Sequence, residues 1–186
     1  MIIESFRYNT ISKERNRELC ALINTVWSNH GEAGIHPKEM DAMCFCAIID
    51  ETVVGYVGVV SWNLFIEDES YMMCGLSCVC THPAHQHCGI GKRLVNKATQ
   101  WIEAIGKFDI GLFTCSAALV GFYELNESWQ HDSRLVLIEG NRDGAYKSDL
   151  LKVEVIKYLI SDKAKQNPSH FTGREIILNF PHGQFI

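Results

Sequence analysis

Apolar residues recur along the chain with two spacings, one typical of strands and one typical of helices. Runs rich in β-branched residues predict strands, and the short interval Asp50–Thr52 between two of them predicts a hairpin. Apolar residues three and four apart predict amphipathic helices, one capped by Ser12 and another ending at Gly106. The predicted strands are 2–7, 44–49, 53–62, 71–81, 110–115, 135–139 and 175–180, and the predicted helices follow Ser12 and span 90–105, 117–126 and 161–166.

Two intervals give other signals. Residues 63–70 carry three acidic residues and predict a loop, and residues 153–158 fit a strand and a helix equally well. Hairpins come first, and a strand–helix–strand–helix–strand order follows them. This order predicts a mixed α/β (α+β) sheet with antiparallel and parallel parts, flanked by helices. At 186 residues the chain suits one domain, with a core over about 1–140 and a C-terminal extension over about 141–186.

Composition and charge narrow the classes of function. The net charge is −5 and no basic stripe is visible, which argues against nucleic acid as a partner and suits a cationic small molecule. No apolar run approaches the roughly 18 residues of a membrane helix, and the start lacks the plan of a signal peptide. A cytoplasmic protein with no membrane partner is therefore expected. In that compartment the eight cysteines suggest reduced thiols or a metal site rather than disulfides.

The stretch 76–93 carries the most chemical information. A strand ends at Thr81, a turn follows, and a helix begins at Gly89–Gly91. The first N–H groups of a helix have no internal partners, the helix dipole is positive there, and glycines let a ligand approach the backbone. These properties predict an anion site suited to phosphate. A G-x-G pair alone is also common in turns and in close helix–sheet packing, and the stretch lacks both the third glycine of the dinucleotide fingerprint and the Gly-Lys-Ser/Thr of the P-loop.

Two segments in order resemble one known family. Gln86-x-x-Gly89-x-Gly91, after a strand that ends shortly before Pro83, is similar to the acetyl-CoA motif of the GNAT superfamily of N-acetyltransferases. Downstream, Phe122-Tyr123-Glu124 followed by Trp129 is similar to the family's Phe-Tyr-Glu segment. The resemblance covers about residues 15–140 by element order and is sharp over 76–95 and 110–129. It implies the GNAT fold and transfer of an acetyl group from acetyl-CoA, as co-substrate, to an amine.

The resemblance also assigns roles to residues. It implies that the backbone of Val79 and Thr81 pairs with the pantetheine arm and the acetyl carbonyl, and that Tyr123 protonates the departing thiolate. It implies that the amides of 87–92 hold the pyrophosphate. The cofactor-binding set expected on this basis is Val79, Cys80, Thr81, Gln86, His87, Cys88, Gly89, Ile90, Gly91 and Lys92.

The general base is the point at which the sequence departs from the family. An alkyl amine of pKa about 10.4 is only about 0.04 % neutral at pH 7, so a base or an acidic cleft has to remove its proton. Many family members carry a glutamate four residues before the position of Thr81, where this chain has Ser77. The acidic residues expected near the cleft become the base candidates, and Trp62 is a candidate for the cleft wall. The acidic candidates are Glu32, Glu67, Asp68 and Glu69, which also fit a solvated charged loop.

Other functions stay open at this point. A zinc site is suggested by five ligand-type residues in nine, which are Cys80, His82, His85, His87 and Cys88, although their spacing matches no standard finger. Cys88 at a helix start also suggests a nucleophilic cysteine. A non-catalytic acyl-CoA-binding module is a third alternative. The prediction adopted is an enzyme with no metal, whose partner is a small-molecule amine, with a homodimer left open.

The acceptor is the least determined part of the prediction. The early hairpin, the acidic interval and the C-terminal extension are similar to aminoglycoside 2′-N-acetyltransferase-like members, and a polycation suits the acidic balance. Another small amine, or the amine of a peptide or protein, agrees with the sequence equally well.

Overall fold

The computed structural model describes residues 1–27, 35–180 and 185, and the chain forms two compact units. One unit comprises Met1–Ser61 and Leu76–Trp101, and the other comprises Trp62–Gly75 and Ile102–Ile186. The predicted fold class is confirmed, because the chain forms a mostly antiparallel sheet that contains a parallel pair and is flanked by helices. The single domain over 1–186 stays a prediction.

The first unit is built on antiparallel strands in the order β1-β2-β3-β4. Ser12 caps its first helix by accepting a hydrogen bond from the Arg15 N–H, as predicted, and Leu19, Leu22 and Ile23 form the buried face of that helix. Its elements are β1 (Ile2–Arg7), α1 (Lys13–Val26), β2 (Met43–Ile49) and parts of β3 (Thr52–Ile66), β4 (Glu69–Thr81) and α2 (Ile90–Ile105), which continue into the second unit.

The hairpin between β2 and β3 is a tight turn. Asp50 and Glu51 have φ angles of 46° and 62°, in the left-handed region. Turns of this hand match the right-handed twist of the two strands. The predicted hairpin is therefore confirmed.

The second unit has strands in the order β3-β4-β5-β8-β6, with a separate parallel pair β7-β9. β4 and β5 run parallel, whereas β8 is antiparallel to both β5 and β6. Besides the shared elements it contains β5 (Ile110–Cys115), α3 (Val120–Glu124), β6 (Gln130–His131), β7 (Val136–Ile138), β8 (Glu154–Leu159), α4 (Asp162–Gln166) and β9 (Glu175–Ile177).

The loop predicted over 63–70 is wrong. β3 continues to Ile66, β4 begins at Glu69, and only two residues separate them. Leu64 and Ile66 are buried while Asn63 and Phe65 are exposed, which is the alternation of a strand. Of the acidic residues that favour a loop, Glu67 and Asp68 form the turn and Glu69 begins β4.

Two further differences concern the C-terminal half. The ambiguous interval 153–158 is a strand, since β8 pairs with β5 along its whole length. The predicted strand at 135–139 exists as β7 but pairs with β9 rather than with the larger sheet. Pairing partners of this kind depend on residues far apart in the chain.

Candidate active site

The end of β4 has one edge outside any strand ladder. In the residues that the structure describes, β4 pairs with β5 only at Met73–Ile110 and Cys74–Gly111, while β4 continues to Thr81. On the other edge, the His82 N–H donates to the Val54 carbonyl at 2.8 Å. Alternate residues of a strand point their peptide groups to the same edge, so Val79 and Thr81 point away from β3. These are the peptide groups that the family resemblance assigns to the pantetheine arm.

An irregularity in β4 immediately precedes these residues. Cys78 has a φ of 53°, in the left-handed region that a non-glycine residue rarely adopts. A residue of this kind redirects the strand after it, as a bulge does. Ser77, which stands at the family's glutamate position, donates its hydroxyl to the Cys78 sulfur at 3.6 Å.

The turn after β4 is held by its own side chains. His82 Nδ1 accepts the Ala84 N–H at 3.2 Å, and a 3₁₀ turn spans Pro83–His85. Gln86 donates its side-chain amide to the Thr81 carbonyl at 3.2 Å. Gln86 therefore closes the turn, and in this structure its side chain serves the loop.

The glycine turn presents helix amides in the open. His87 and Gly89 have φ angles of 61° and 77°, and the Arg93 N–H bonds to the Gly89 carbonyl as α2 begins. Glycine at this position supplies no side chain to cap the N–H groups of 90–92. A Cβ on Gly89 would meet no atom within 4 Å, so the space in front of the turn is open. With the exposed Lys92 beside it, this arrangement fits a diphosphate.

Close packing places the start of α2 against the sheet of the first unit. A Cβ on Gly55 would stand 2.9 Å from Leu94 Cδ1, 3.0 Å from Ile90 Cγ2 and 3.4 Å from the Cys80 carbonyl oxygen. A side chain at this position would force Leu94 and Ile90 to move away from β3. Gly55 thus fixes the glycine turn next to the end of β4.

Tyr123 lies in the second unit on the short helix α3, with 5 % of its surface exposed. Its ring packs edge-on against Phe113 of β5, with a centroid distance of 4.7 Å, and Phe113 in turn packs against Trp129 at 5.0 Å. The following residue, Glu124, accepts the His131 N–H at 3.3 Å. These contacts fix the tyrosine ring independently of its hydroxyl.

The acidic candidates at the β3–β4 turn contact the C-terminal part of the second unit. Arg174 donates to Glu67 at 3.2 Å, and Lys163 pairs with Glu69 at 2.7 Å. The hydrogen bond from Lys163 lowers the pKa of Glu69 below its ordinary value. Asp68 is exposed. Two of the base candidates therefore already take part in surface ion pairs.

Two candidates remain, Trp62 and Glu32. Trp62 is half-buried in the second unit, where its ring packs edge-on against Phe180 at 5.7 Å. Glu32 lies outside the described residues.

Most of the cysteines are buried. Burial raises the pKa of the Cys44 and Cys80 thiols to about 12 and that of Cys115 to about 11, so these thiols stay protonated at neutral pH. No three His, Cys, Asp or Glu side chains of the described residues gather as metal ligands, and Cys88 is exposed. The buried thiols serve as small apolar groups in the core.

The sequence offered no strong signal for one buried polar network. The ring of His36 is buried against Tyr56 of β3. Gly58 on the same strand makes the room for it. A glycine inside a strand was the available signal, because it often marks a close approach.

Comparisons with known proteins bear on the fold and the family. Three solved structures share the fold at low identity. The Escherichia coli protein ElaA has a TM-score of 0.60 at 12 % identity, covering 84 % of this chain and 98 % of that one. An acyl-CoA N-acyltransferase from Pseudomonas aeruginosa has a TM-score of 0.58 at 12 % identity, covering 85 % of this chain and 99 % of that one. An acetyltransferase of the GNAT family from Streptococcus pneumoniae has a TM-score of 0.58 at 13 % identity, covering 86 % of this chain and 100 % of that one.

No curated protein matches the chain. Within the described part of the chain, no helix is long and apolar enough to cross a membrane. The model of the acetyltransferase (GNAT) family, however, matches residues 13–130, which include the glycine turn and Tyr123. The chain belongs to the acetyltransferase (GNAT) family, and it is an acetyl-CoA-dependent acetyltransferase.

Proposed function

We propose that the protein transfers the acetyl group of acetyl-CoA to a primary amine of a small cationic acceptor, by direct attack of the amine. The observation that carries the proposal is the glycine turn, whose helix amides face open space beside the end of β4, where no strand ladder covers one edge among the described residues. Acetyl-CoA supplies an activated thioester, so no covalent intermediate on the protein is needed.

Two groups of backbone atoms would hold the donor. The amides of 87–92 would bind the diphosphate, with Lys92 adding charge. The outward peptide groups of Val79 and Thr81 would pair with the pantetheine arm as a strand does. The N–H groups of this same stretch are suited to the negative charge that develops on the carbonyl oxygen.

Tyr123 would donate a proton to the leaving thiolate. A phenol of pKa about 10 can protonate a thiolate whose parent pKa is about 8.5 once the carbon–sulfur bond breaks. Support comes from its position in the family segment and from the aromatic packing that fixes its ring.

A cationic acceptor is supported by charge. The chain carries −5 overall, and Asp68 is exposed at the turn between β3 and β4. Aminoglycoside-like polycations are one such class, and peptide or protein amines are the alternative. We keep the cytoplasm as the proposed location.

The test combines binding with turnover. Titration calorimetry should detect coenzyme A binding, and a thiol assay should detect coenzyme A release when a panel of polyamines, aminoglycosides and peptides is offered with acetyl-CoA. A non-catalytic acyl-CoA-binding module would bind coenzyme A and release none with any amine. Absence of coenzyme A binding would reject the proposal altogether, and one tightly held zinc whose removal unfolds the chain would favour the zinc-binding alternative.

A further inference from the structure

The second unit carries a histidine–carboxylate pair outside the groups proposed to bind acetyl-CoA. Nε2 of His131, in β6, lies 2.7 Å from Oε2 of Glu154, the first residue of β8. The two side chains are 25 % and 34 % exposed, so a ligand from solvent can reach both. The backbone N–H of the same histidine donates to Glu124 at 3.3 Å, which ties the pair to the helix α3 that carries Tyr123.

The strand register places this pair on the sheet face that the Tyr123 ring contacts. The ring packs against Phe113, which is opposite Ile156 in the β5–β8 ladder. One pair further along that face, Cys115 is opposite Glu154. Cross-strand partners share a face, and so do residues two apart on one strand. The histidine belongs to that face too, since it is opposite Ile156 in the β6–β8 ladder. The carboxylate therefore follows the Phe113–Ile156 pair by roughly 7 Å along the strand.

The charge of Glu154 reaches the end of β5. Burial is the largest cause of the raised pKa of the Cys115 thiol, and the negative charge of Glu154 raises it further. Cys115 is the last residue of β5, and the chain continues from it to α3. The carboxylate thus faces the point at which the chain leaves the sheet toward Tyr123.

Glu154 has one carboxylate oxygen to offer a ligand. An ionised carboxylate only accepts hydrogen bonds, so the imidazole Nε2–H donates to Oε2 and leaves the negative charge in place. Among the described residues, none donates a hydrogen bond to Oε1 of Glu154. An ammonium group, with three N–H donors and a positive charge, fits that oxygen.

The space beside Glu154 also suits a cation. Glu154 lines a cavity of about 190 Å³ within the second unit, and the other charged residues of its described wall are Asp132, Asp149 and Lys152. Asp132 is paired with Lys157 at 2.6 Å, whereas Asp149 is exposed. Carboxylates outnumber lysines around a space large enough for an ammonium group, so these surroundings attract positive charge.

We propose that Glu154, held in place by His131, binds an ammonium group of the acceptor other than the amine that is acetylated. The proposal rests on the proposed function and narrows the substrate class to small molecules with at least two amino groups. Holding one charged nitrogen at Glu154 raises the local concentration of the second nitrogen for attack on the thioester. Glu154 is in this role a specificity-determining residue and transfers no proton.

The test compares Glu154→Gln with the parent protein on putrescine, spermidine and n-butylamine at saturating acetyl-CoA. We expect KM for the two polyamines to rise about 10-fold, because a charge-assisted hydrogen bond is lost. Their kcat should change less than about 2-fold, and KM for n-butylamine less than about 3-fold. A distorted site would raise KM by one factor for all three amines, and that result would overturn the proposal.

Two further variants separate this carboxylate from the overall charge of the protein. Glu175→Gln removes an exposed carboxylate of the same unit, paired with Lys147 at 3.3 Å, and should keep the preference for polyamines. If Glu175→Gln loses the preference as well, net charge and not Glu154 selects the acceptor. Glu154→Asp keeps the charge and should retain more of the preference than Glu154→Gln, and the reverse order would also overturn the proposal. Unchanged calorimetric affinity for coenzyme A shows that each variant is folded.

A measurement without acetyl-CoA separates this proposal from the proposed function. In the protein alone, adding putrescine should shift the imidazole NMR signal that is missing from His131→Gln. An unmoved signal would overturn the role of Glu154 whatever the turnover shows. If the parent releases coenzyme A with no amine, the proposed function fails, whereas a shifted signal would still show a cation site at Glu154.

Discussion

Gly55 and Leu94 approach so closely that a Cβ on the glycine would stand 2.9 Å from the leucine Cδ1. The contact joins β3 to the first turns of α2, which carry the amides proposed for the diphosphate. One missing side chain therefore determines how near the helix start lies to the end of β4.

Replacing Gly55 by valine should displace the start of α2. We expect a loss of about 1–3 kcal/mol of unfolding free energy, since added atoms overpack a buried contact, together with weaker coenzyme A binding. Urea unfolding and titration calorimetry measure the two effects. Gly121→Val is the matched control, because a Cβ there meets nothing within 4 Å, and equal losses in both variants would contradict the packing argument.

Gly89 tests the conformation of the turn separately from its packing. With φ of 77° and open space around it, Gly89→Ala should be strained without clashing, at about 1 kcal/mol. We expect the Kd of coenzyme A to rise about 3- to 10-fold, and less in Gly89→Asn because asparagine tolerates left-handed backbone. If calorimetry finds that Gly89→Asn binds coenzyme A more weakly than Gly89→Ala, side-chain bulk and not backbone strain controls binding.

Tyr123→Phe removes one hydroxyl and keeps the ring against Phe113. Turnover should fall about 10- to 100-fold with little change in coenzyme A affinity, because the lost group acts as an acid. Tyr158→Phe also removes one hydroxyl, which bonds to Glu103, and should leave turnover nearly unchanged. Steady-state kinetics decide the matter, and unchanged turnover in Tyr123→Phe would remove its assigned role.

The buried pair Asp132–Lys157 should make stability depend on pH. Lys157 Nζ lies 2.6 Å from the Asp132 carboxylate and also donates to the Phe171 carbonyl at 2.9 Å. Burial, the largest single effect, would raise the pKa of Asp132, but the hydrogen bonds from Lys157 and the Arg134 N–H, together with the positive charges of both residues, outweigh burial and lower it. The contribution is therefore complete above the unfolded pKa of about 3.9 and is lost as the pH falls through the lower folded value.

Lys157→Met should cost about 3–5 kcal/mol at pH 7, since it leaves a buried carboxylate without its partner. The difference from the parent should shrink as the pH falls, because without Lys157 burial raises the pKa of Asp132 and its carboxylate becomes protonated at a higher pH than in the parent. Urea unfolding at pH 7, 5 and 4 measures this. Lys147→Met, which removes an exposed pair with Glu175, should change stability by no more than about 1 kcal/mol. A difference that stays constant with pH would contradict the assignment to Asp132.

The sequence predicted those elements whose signals are local. Ser12 capped the first helix as expected, and the apolar stripe beginning at Ile90 gave α2 with its glycine end. The prediction of a loop over 63–70 is wrong because it depends on three acidic residues, which are typical of exposed loops. The burial of Leu64 and Ile66, which extends the strand, comes from neighbours distant in sequence.

By itself, the sequence determined the family, the glycine turn and the candidate tyrosine, because each is written in a few consecutive residues. Only the tertiary structure decided that β4 continues beyond its pairing with β5. It also decided that Glu67 and Glu69 pair with Arg174 and Lys163, and that the His36 ring packs against Gly58. Contacts of this second kind form between segments far apart in the chain. Their geometry depends on how the strands pair and pack, and no local spacing encodes it.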